Sequence, residues 1–564
     1  MSNIGRIGVI GPGIVGVPMA ALLARAAKAG HYGPDAHVMV VQRDSPTSGW
    51  KVGAINRGES PIGGIEPGLE DIIGDCVGTG HLKASHDYGD LTAADVVLVC
   101  VQTDKMGLQP DYRPMYGALD ALGKALAARK DRAEPTLISI ESTLAPSSMQ
   151  SVIREKLAEH GVIEGRDVLL GNSPNRVMPG RLVERVAHAD KLAGGLDPRT
   201  PKRIAALYEP IVTQGTVYTT NSLTAEVVKT LENTYRDVRI AYAAELVRYC
   251  DDHDVDFFAL REAMNAKLAD ADDASYDAAA VPSGALLVPG VGVGGHCLPK
   301  DGILLRWRMN QKEPGSIDRS LIHAARRIND ASPAWAAGLA ERAFGELDGK
   351  KVALLGLAYR ADSDDTRNGP TFQLADHLLA KGCQVTVHDP YVRTTDANLN
   401  ASPVAQRFTH DLDEALAGAA VAIVCQPHKP YRDGGPALFA DREGLLGVCD
   451  AANVWKAEAF AEGPVGYTGI GRGTQAPSDD LVAAGLSGFR AVEVGFANEL
   501  AAVVEDLNAR FAGSDFQRID LDEVRRLAAT CATGCDVVAP GEVPAMQPAI
   551  EGLDPELVRL AHAG

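Results

Sequence analysis

The chain has 564 residues, 46% of them hydrophobic, too long for one core and in the range of about three or four domains. Its 55 basic and 74 acidic residues leave a formal charge of −19, which argues against nonspecific binding to nucleic acid or an anionic membrane, so an anionic substrate would need a local basic pocket. Nine cysteines without regular spacing do not make a disulfide pattern, no long apolar run occurs, and the amino terminus runs straight into a strand; a reduced, cytoplasmic setting without signal peptide or membrane span is expected.

In chain order, Arg6 to Ile10 reads as a buried strand, followed by Gly11, Gly13, Ile14, Val15 and Gly16 in GPGIVG and by an Ala- and Leu-rich helix from Val17 to Ala29. Strand, glycine turn and helix in this order make a dinucleotide-binding fingerprint, in which helix N-terminal amides receive a pyrophosphate. The next strand, His37 to Val41, should end in an acid that binds the adenosine ribose, but the chain places Gln42, Arg43 and Asp44 there. Gln42 and Asp44 can serve ribose hydroxyls, whereas Arg43 could pair with a 2′-phosphate, so NAD is preferred over NADP. Further strands at Asp95 to Val101 and Thr136 to Glu141, followed by turns carrying Thr103 and Thr143, extend a parallel sheet.

From Thr224 to Cys250 runs a segment with apolar residues at helical spacing and no Gly or Pro, long enough to join two domains. It carries Lys229 and Asn233 four residues apart, hence on one face. The stretch PGVGVGGHCLPKD, Pro289 to Asp301, sets Cys297 among glycines, a histidine, a lysine and an aspartate, a setting that suits a thiolate nucleophile better than a packing residue. A second α/β pattern begins with KVALLGLAYR at Lys351, continues through a helix at Phe372 to Ala380 and the strand QVTVHDP, and includes a strand at Ala420 to Cys425. Beyond Thr474 two amphipathic helices are expected, Phe489 to Phe511 and Leu521 to Thr530, the second capped by Asp520. Cys531 and Cys535 lack a second ligand pair, and no metal site is expected. The fold class is α/β, with two Rossmann-like doubly wound domains joined by a long central helix and a small helical carboxy-terminal appendage. The domains are expected at 1–215, 216–330, 331–475 and 476–564.

These motifs, with INRGESPI, EPGLE, IESTLAP, NSPNRVMPGR, TAEVVKTLENTYRDV, GLAYRADSDDTRNGP and GIGRG, resemble the nucleotide-sugar 6-dehydrogenases over about residues 5 to 475. That family oxidises a sugar CH2OH to a carboxylate with two NAD. GGHC and SPNRVMPGR are closer to the UDP-N-acetylmannosamine and UDP-N-acetylglucosamine branch, while LPKD is shared with the UDP-glucose and GDP-mannose branches. The resemblance implies that Cys297 attacks the aldehyde, that the thiohemiacetal gives hydride to a second NAD, and that water hydrolyses the thioester. It gives Lys229 and Asn233 the oxyanions, Asp301 water activation and the placing of Lys229, and Thr143 the positioning of water. Substrate contacts fall to Arg176, Gly294, Gly295, His296 and Arg360, and Arg367 is assigned to the cofactor or the pyrophosphate. Where the family has a glutamate the chain has Asn175, which binds water but does not accept a proton usefully. An acidic, Ala-rich loop before Pro289 is longer than the family norm. A homodimer through the long helix is also implied. The alternatives are a UDP-glucose 6-dehydrogenase, a two-electron hydroxyacid dehydrogenase that would not need Cys297, and a homologue impaired in catalysis.

Overall fold

The computed structural model describes residues 4–63, 65–129, 134–177, 179–268, 286–511, 514–531 and 534–563, and the Ala-rich loop at 269–284 lies outside them. The chain divides into two compact units, one formed by Met1–Glu232, Ile303–Lys312 and Ala501–Asp536, the other by Asn233–Gly302, Glu313–Leu500 and Val537–Gly564.

The first unit holds β1 (Arg6–Ile10), β2 (His37–Val41), β3 (Leu82–Ser85), β4 (Val96–Val99), β5 (Thr136–Ile140), β6 (Val168–Asn172), β7 (Lys191–Gly195) and β8 (Val217–Asn221). They form one sheet in the order β8-β7-β6-β5-β4-β1-β2-β3, parallel throughout except for the β6/β7 pair. Runs such as VVLV and TLISI are buried at every position, as strands covered on both faces must be. Alternate residues feed opposite cores: Val96 and Leu98 pack with Ile7 and Val9, whereas Val97 and Val99 pack with Ile10 and Ile138. Helix α1 (Gly16–Lys28) covers the first of these faces and ends in Arg25 and Lys28, which suit the negative end of its dipole. Strand order reverses at β1, between β4 and β2, and the GPGIVG turn leaves β1 at that switch point.

Helix α2 (Ser222–Asp252) gives Ser222 to Glu232 to the first unit and Asn233 to Asp252 to the second. In the second unit, α3 (Leu298–Leu305) begins directly after Cys297, α4 (Leu321–Asp330) has its amino terminus capped by Ser320, and α5 (Pro370–Ala380) follows the GLAYRADSDDTRNG segment. Six parallel strands, β9 (Lys351–Leu355), β10 (Gln384–His388), β11 (Phe408–Thr409), β12 (Val421–Val424), β13 (Gly447–Asp450) and β14 (Gly466–Gly469), are ordered β11-β10-β9-β12-β13-β14. This sheet again reverses at its first strand in sequence, so both sheets are doubly wound.

The carboxy-terminal region contributes α6 (Asp479–Arg510), α7 (Leu521–Ala529) and α8 (Glu556–Ala563). Asp520 caps α7 by accepting from Glu523 N at 2.8 Å, as the sequence suggests. Helix α6 starts earlier than Phe489, because Gly485 and Gly488, which read as interruptions, lie inside it.

Candidate active site

In the first unit the glycine turn is built for close approach. Gly11 has φ +93°, donates to Val41 O at 3.0 Å, and a Cβ there would stand 2.9 Å from Cys100 O. At Gly16 a Cβ would stand 2.1 Å from Gly11 O, while the space beyond Gly13 is open. This is a cradle that any side chain would fill, and it fits a dinucleotide pyrophosphate at the start of α1. Lys51, which sequence reading passed over, reaches the turn and donates to Pro12 O at 3.1 Å; burial lowers its pKa. At the end of β2, Gln42 is half-buried with its amide donating to Ser48 Oγ at 2.8 Å, and Arg43 and Asp44 are exposed.

Thr103 and Thr143 are brought together after β4 and β5: the Thr103 hydroxyl donates to Thr143 O at 2.7 Å. The rest of that loop is clamped from α2, where the Glu226 carboxylate accepts from Ser147 N at 2.7 Å and Met149 N at 2.8 Å. Burial pushes the Glu226 carboxyl up to about 8 against the pull of these amides. Asn175 is held on both ends of its amide: Nδ2 donates to Glu141 Oε2 at 2.9 Å and Oδ1 accepts from Lys191 Nζ at 2.9 Å. Lys191 also pairs with Glu141 at 3.0 Å, and Ser139 and Tyr208 donate to the other Glu141 oxygen. Burial drives the Lys191 pKa down, with Glu141 opposing. The sequence signal for this network was a charge at the end of one apolar strand run and another at the start of a different one.

Arg176 does not point its fork into open space. Its guanidinium donates to Glu232 at 2.5 and 2.9 Å, to Leu527 O at 3.0 Å and to Thr530 Oγ1 at 2.8 Å, so α2 and the end of α7 hold it. Lys229, nearly buried one turn before Asn233 on α2, faces Glu232 at 3.6 Å.

In the second unit Cys297 is exposed, and its carbonyl accepts from Lys300 N at 3.1 Å and Asp301 N at 3.0 Å, which makes it the N-cap of α3. A thiolate at a helix amino terminus is favoured by the dipole. Asp301, wholly buried, accepts from Asn233 Nδ2 at 2.6 Å on one oxygen and from Lys300 on the other. The loop ahead of the thiol is fixed by the GLAYRADSDDTRNG segment: Gly295 N donates to Arg367 O at 2.8 Å and Asn368 Nδ2 donates to Gly295 O at 3.0 Å. Gly295 has φ +86°, and a Cβ there would stand 2.9 Å from the Tyr359 ring. The Arg367 guanidinium donates to both Asp365 oxygens, and these hydrogen bonds raise its pKa against the opposing effect of burial. Gly294, His296 and Arg360 are half-buried around this loop.

Profiles of one family match the chain in three parts: the NAD binding domain of the UDP-glucose/GDP-mannose dehydrogenase family at residues 5–212, its central domain at 223–331 and its UDP binding domain at 353–457. The chain belongs to the UDP-glucose/GDP-mannose dehydrogenase family. It is similar to a UDP-N-acetyl-D-mannosamine dehydrogenase of Pyrococcus horikoshii, 32% identical over 83% of this chain and 99% of that one. Among solved structures, an NDP-N-acetyl-D-galactosaminuronic acid dehydrogenase of Methanosarcina mazei Go1 is 32% identical, covers 84% of this chain and 96% of its own, and has a TM-score of 0.67. The Pyrococcus horikoshii UDP-D-ManNAc dehydrogenase structure is 30% identical over 83% of this chain and 99% of its own, with a TM-score of 0.67. As a member of this family the protein is an NAD-dependent oxidoreductase, and no described helix is long and apolar enough to cross a membrane.

Proposed function

We propose that this dehydrogenase oxidises the C6 alcohol of a UDP-N-acetylhexosamine, UDP-N-acetylmannosamine first, to the uronic acid. The observation that carries the reading is Cys297, an exposed thiol at the amino terminus of α3 on a loop fixed by Arg367 and Asn368. NAD, held at Gly11, Gly13, Ile14, Val15 and Gly16 with Gln42 and Asp44 toward its ribose and Thr103 and Thr143 beside it, supplies a hydride acceptor for each of two oxidations. Cys297 Sγ bonds to the aldehyde carbon and makes it tetrahedral, so that hydride can leave; the C–S bond then breaks as water adds, giving the acid and the free thiol. Lys229 and Asn233 donate to the oxyanions, each contributing about 3 kcal/mol. Asp301, oriented by Asn233 and Lys300, takes the proton of the attacking water, which Thr143 positions; the Asn175 amide, already bonded at both ends, stays out of this step. Arg360 and Arg367 face the pyrophosphate, with Gly294, Gly295 and His296 along the sugar.

Relatives named for UDP-N-acetyl-D-mannosamine support the choice of sugar. A reduced compartment, the cytoplasm, suits a thiolate nucleophile. The homodimer that the resemblance implies through α2 does not enter this reading, because none of the described residues from Ser222 to Cys250 is exposed. The test is the NADH yield per molecule of each of UDP-N-acetylmannosamine, UDP-N-acetylglucosamine, UDP-glucose and GDP-mannose. Two per UDP-N-acetylmannosamine is expected; one would favour a two-electron dehydrogenase. Cys297→Ser should slow the second oxidation by about a thousandfold or more, and an unchanged yield of two at wild-type rate would sink the covalent route.

A further inference from the structure

A 31-residue helix without an exposed face, apart from its last residue, is unusual within one chain, and the carboxy-terminal region explains it. In the second unit α6 lies along α2. The Tyr235 and Phe496 rings stand 5.5 Å apart and those of Tyr242 and Phe489 6.0 Å apart. Tyr235 Oη donates to Glu493 Oε2 at 2.7 Å and Tyr242 Oη to Gly485 O at 2.8 Å. Arg239 lies over both the Tyr235 and Phe489 rings, at 5.4 and 5.5 Å. Contact is this close because α6 lacks a side chain where α2 presses: a Cβ on Gly488 would stand 2.4 Å from Tyr242 Oη.

The capping is reciprocal. Glu499 of α6 accepts from Ser320 Oγ at 2.6 Å and Ile322 N at 3.2 Å, at the start of α4, while Glu245 of α2 accepts from Glu556 N and Leu557 N at the start of α8. Arg327 of α4 pairs with Glu556 at 2.9 Å. In the first unit the same region seats Arg176, and buried Gln517 accepts from Ser222 Oγ at 3.3 Å while donating to Gly195 O at 2.8 Å. These are interior contacts, with tyrosine hydroxyls and carboxylates satisfied, and not the loose packing of an appended tail.

We propose that the carboxy-terminal region takes, within one chain, the place of a second copy against α2 and α4, so that the protein does not pair with itself through its central helix. A stable interface needs about 800 Å² from each partner, and α2 has no such surface left to give. This does not depend on the substrate assigned above.

Light scattering on the full chain, with a photo-crosslinking benzoylphenylalanine placed at Phe489, tests it. The expected product is an α6-to-α2 crosslink that migrates on a denaturing gel at the mass of one chain, 59.4 kDa. A crosslink at twice that mass would mean that α6 covers the α2 of a partner, and the proposal fails. Because the residue at 489 is buried, the unsubstituted protein gives a second reading through hydrogen exchange across α2. Scattering at one chain mass, or at two with α2 exchange independent of concentration, supports the proposal. Protection of α2 that falls on dilution together with the two-chain mass overturns it.

Discussion

The two doubly wound sheets start alike and part at the end of their second strand. Gly11 after β1 donates to Val41 O at 3.0 Å, and Gly356 after β9 donates to His388 O at 2.8 Å; both have positive φ, +93° and +102°. In the first sheet the residues past the second strand are half-buried Gln42 and exposed Asp44, open to a ribose. In the second the same place holds Asp389, wholly buried, which accepts from Leu357 N, Ala358 N, Tyr391 N, Val392 N and His428 Nε2 at 2.7 to 3.1 Å. Five donors on two oxygens leave nothing for a ligand. One strand-end position thus stays open in one sheet and serves as an internal latch in the other, although both read as an acidic or polar residue after an apolar run.

The largest test of this contrast is Asp389→Ala, which strands buried donors and should cost about 3–5 kcal/mol in denaturant unfolding, against a change within about 0.5 kcal/mol for Asp44→Ala. Equal costs would erase the distinction. Gly16→Ala places a methyl against Gly11 O and should weaken the cofactor by about 1–3 kcal/mol, read as a KM for NAD raised about tenfold or more with the UDP-sugar KM unmoved. Wild-type NAD affinity in that variant would remove the turn from the cofactor site. Gln42→Asp restores an acid toward the ribose and should shift the ratio of kcat/KM for NAD over NADP by about 1 kcal/mol toward NAD; no shift would leave Asp44 as the ribose contact. The smallest effect is on pH. Burial alone would raise the Asp389 carboxyl, but the His428 bond and charge and the backbone amides outweigh it and hold it below the ordinary carboxylate value. The stability it gives is therefore complete above the ordinary aspartate value and lost as pH falls through the depressed one. Asp389→Asn should flatten that acid limb in unfolding curves taken below about pH 5, and an unchanged limb would assign it to other carboxylates.

The parts legible in the sequence were those set by local rules. β1 and β2 fall where apolar runs meet glycine or polar punctuation, α2 extends two residues beyond each end of its Gly- and Pro-free run, and Asp520 caps α7. Cys297 stood out because glycines and charges surround it, and the structure adds the N-cap that those residues allow. What stayed hidden depends on distant partners. Arg176 reads as a substrate arginine until Leu527 and Thr530, some 350 residues away, are folded against it. The start of α6 was missed because Gly485 and Gly488 lower helix propensity, yet there they admit Tyr242 and Met264, and packing outweighs propensity. Lys51 carried no local signal, since one lysine in a short helix is ordinarily solvated.

The saturated amide of Asn175 limits the charge that its pocket can hold. With Lys191 on its oxygen and Glu141 on its nitrogen, the pocket balances one cation against one anion. A glutamate at 175 would set two carboxylates against a single ammonium in a place with little water, and one of them would have to keep its proton. Positions 141 and 175 are therefore coupled in this chain through the single ammonium of Lys191.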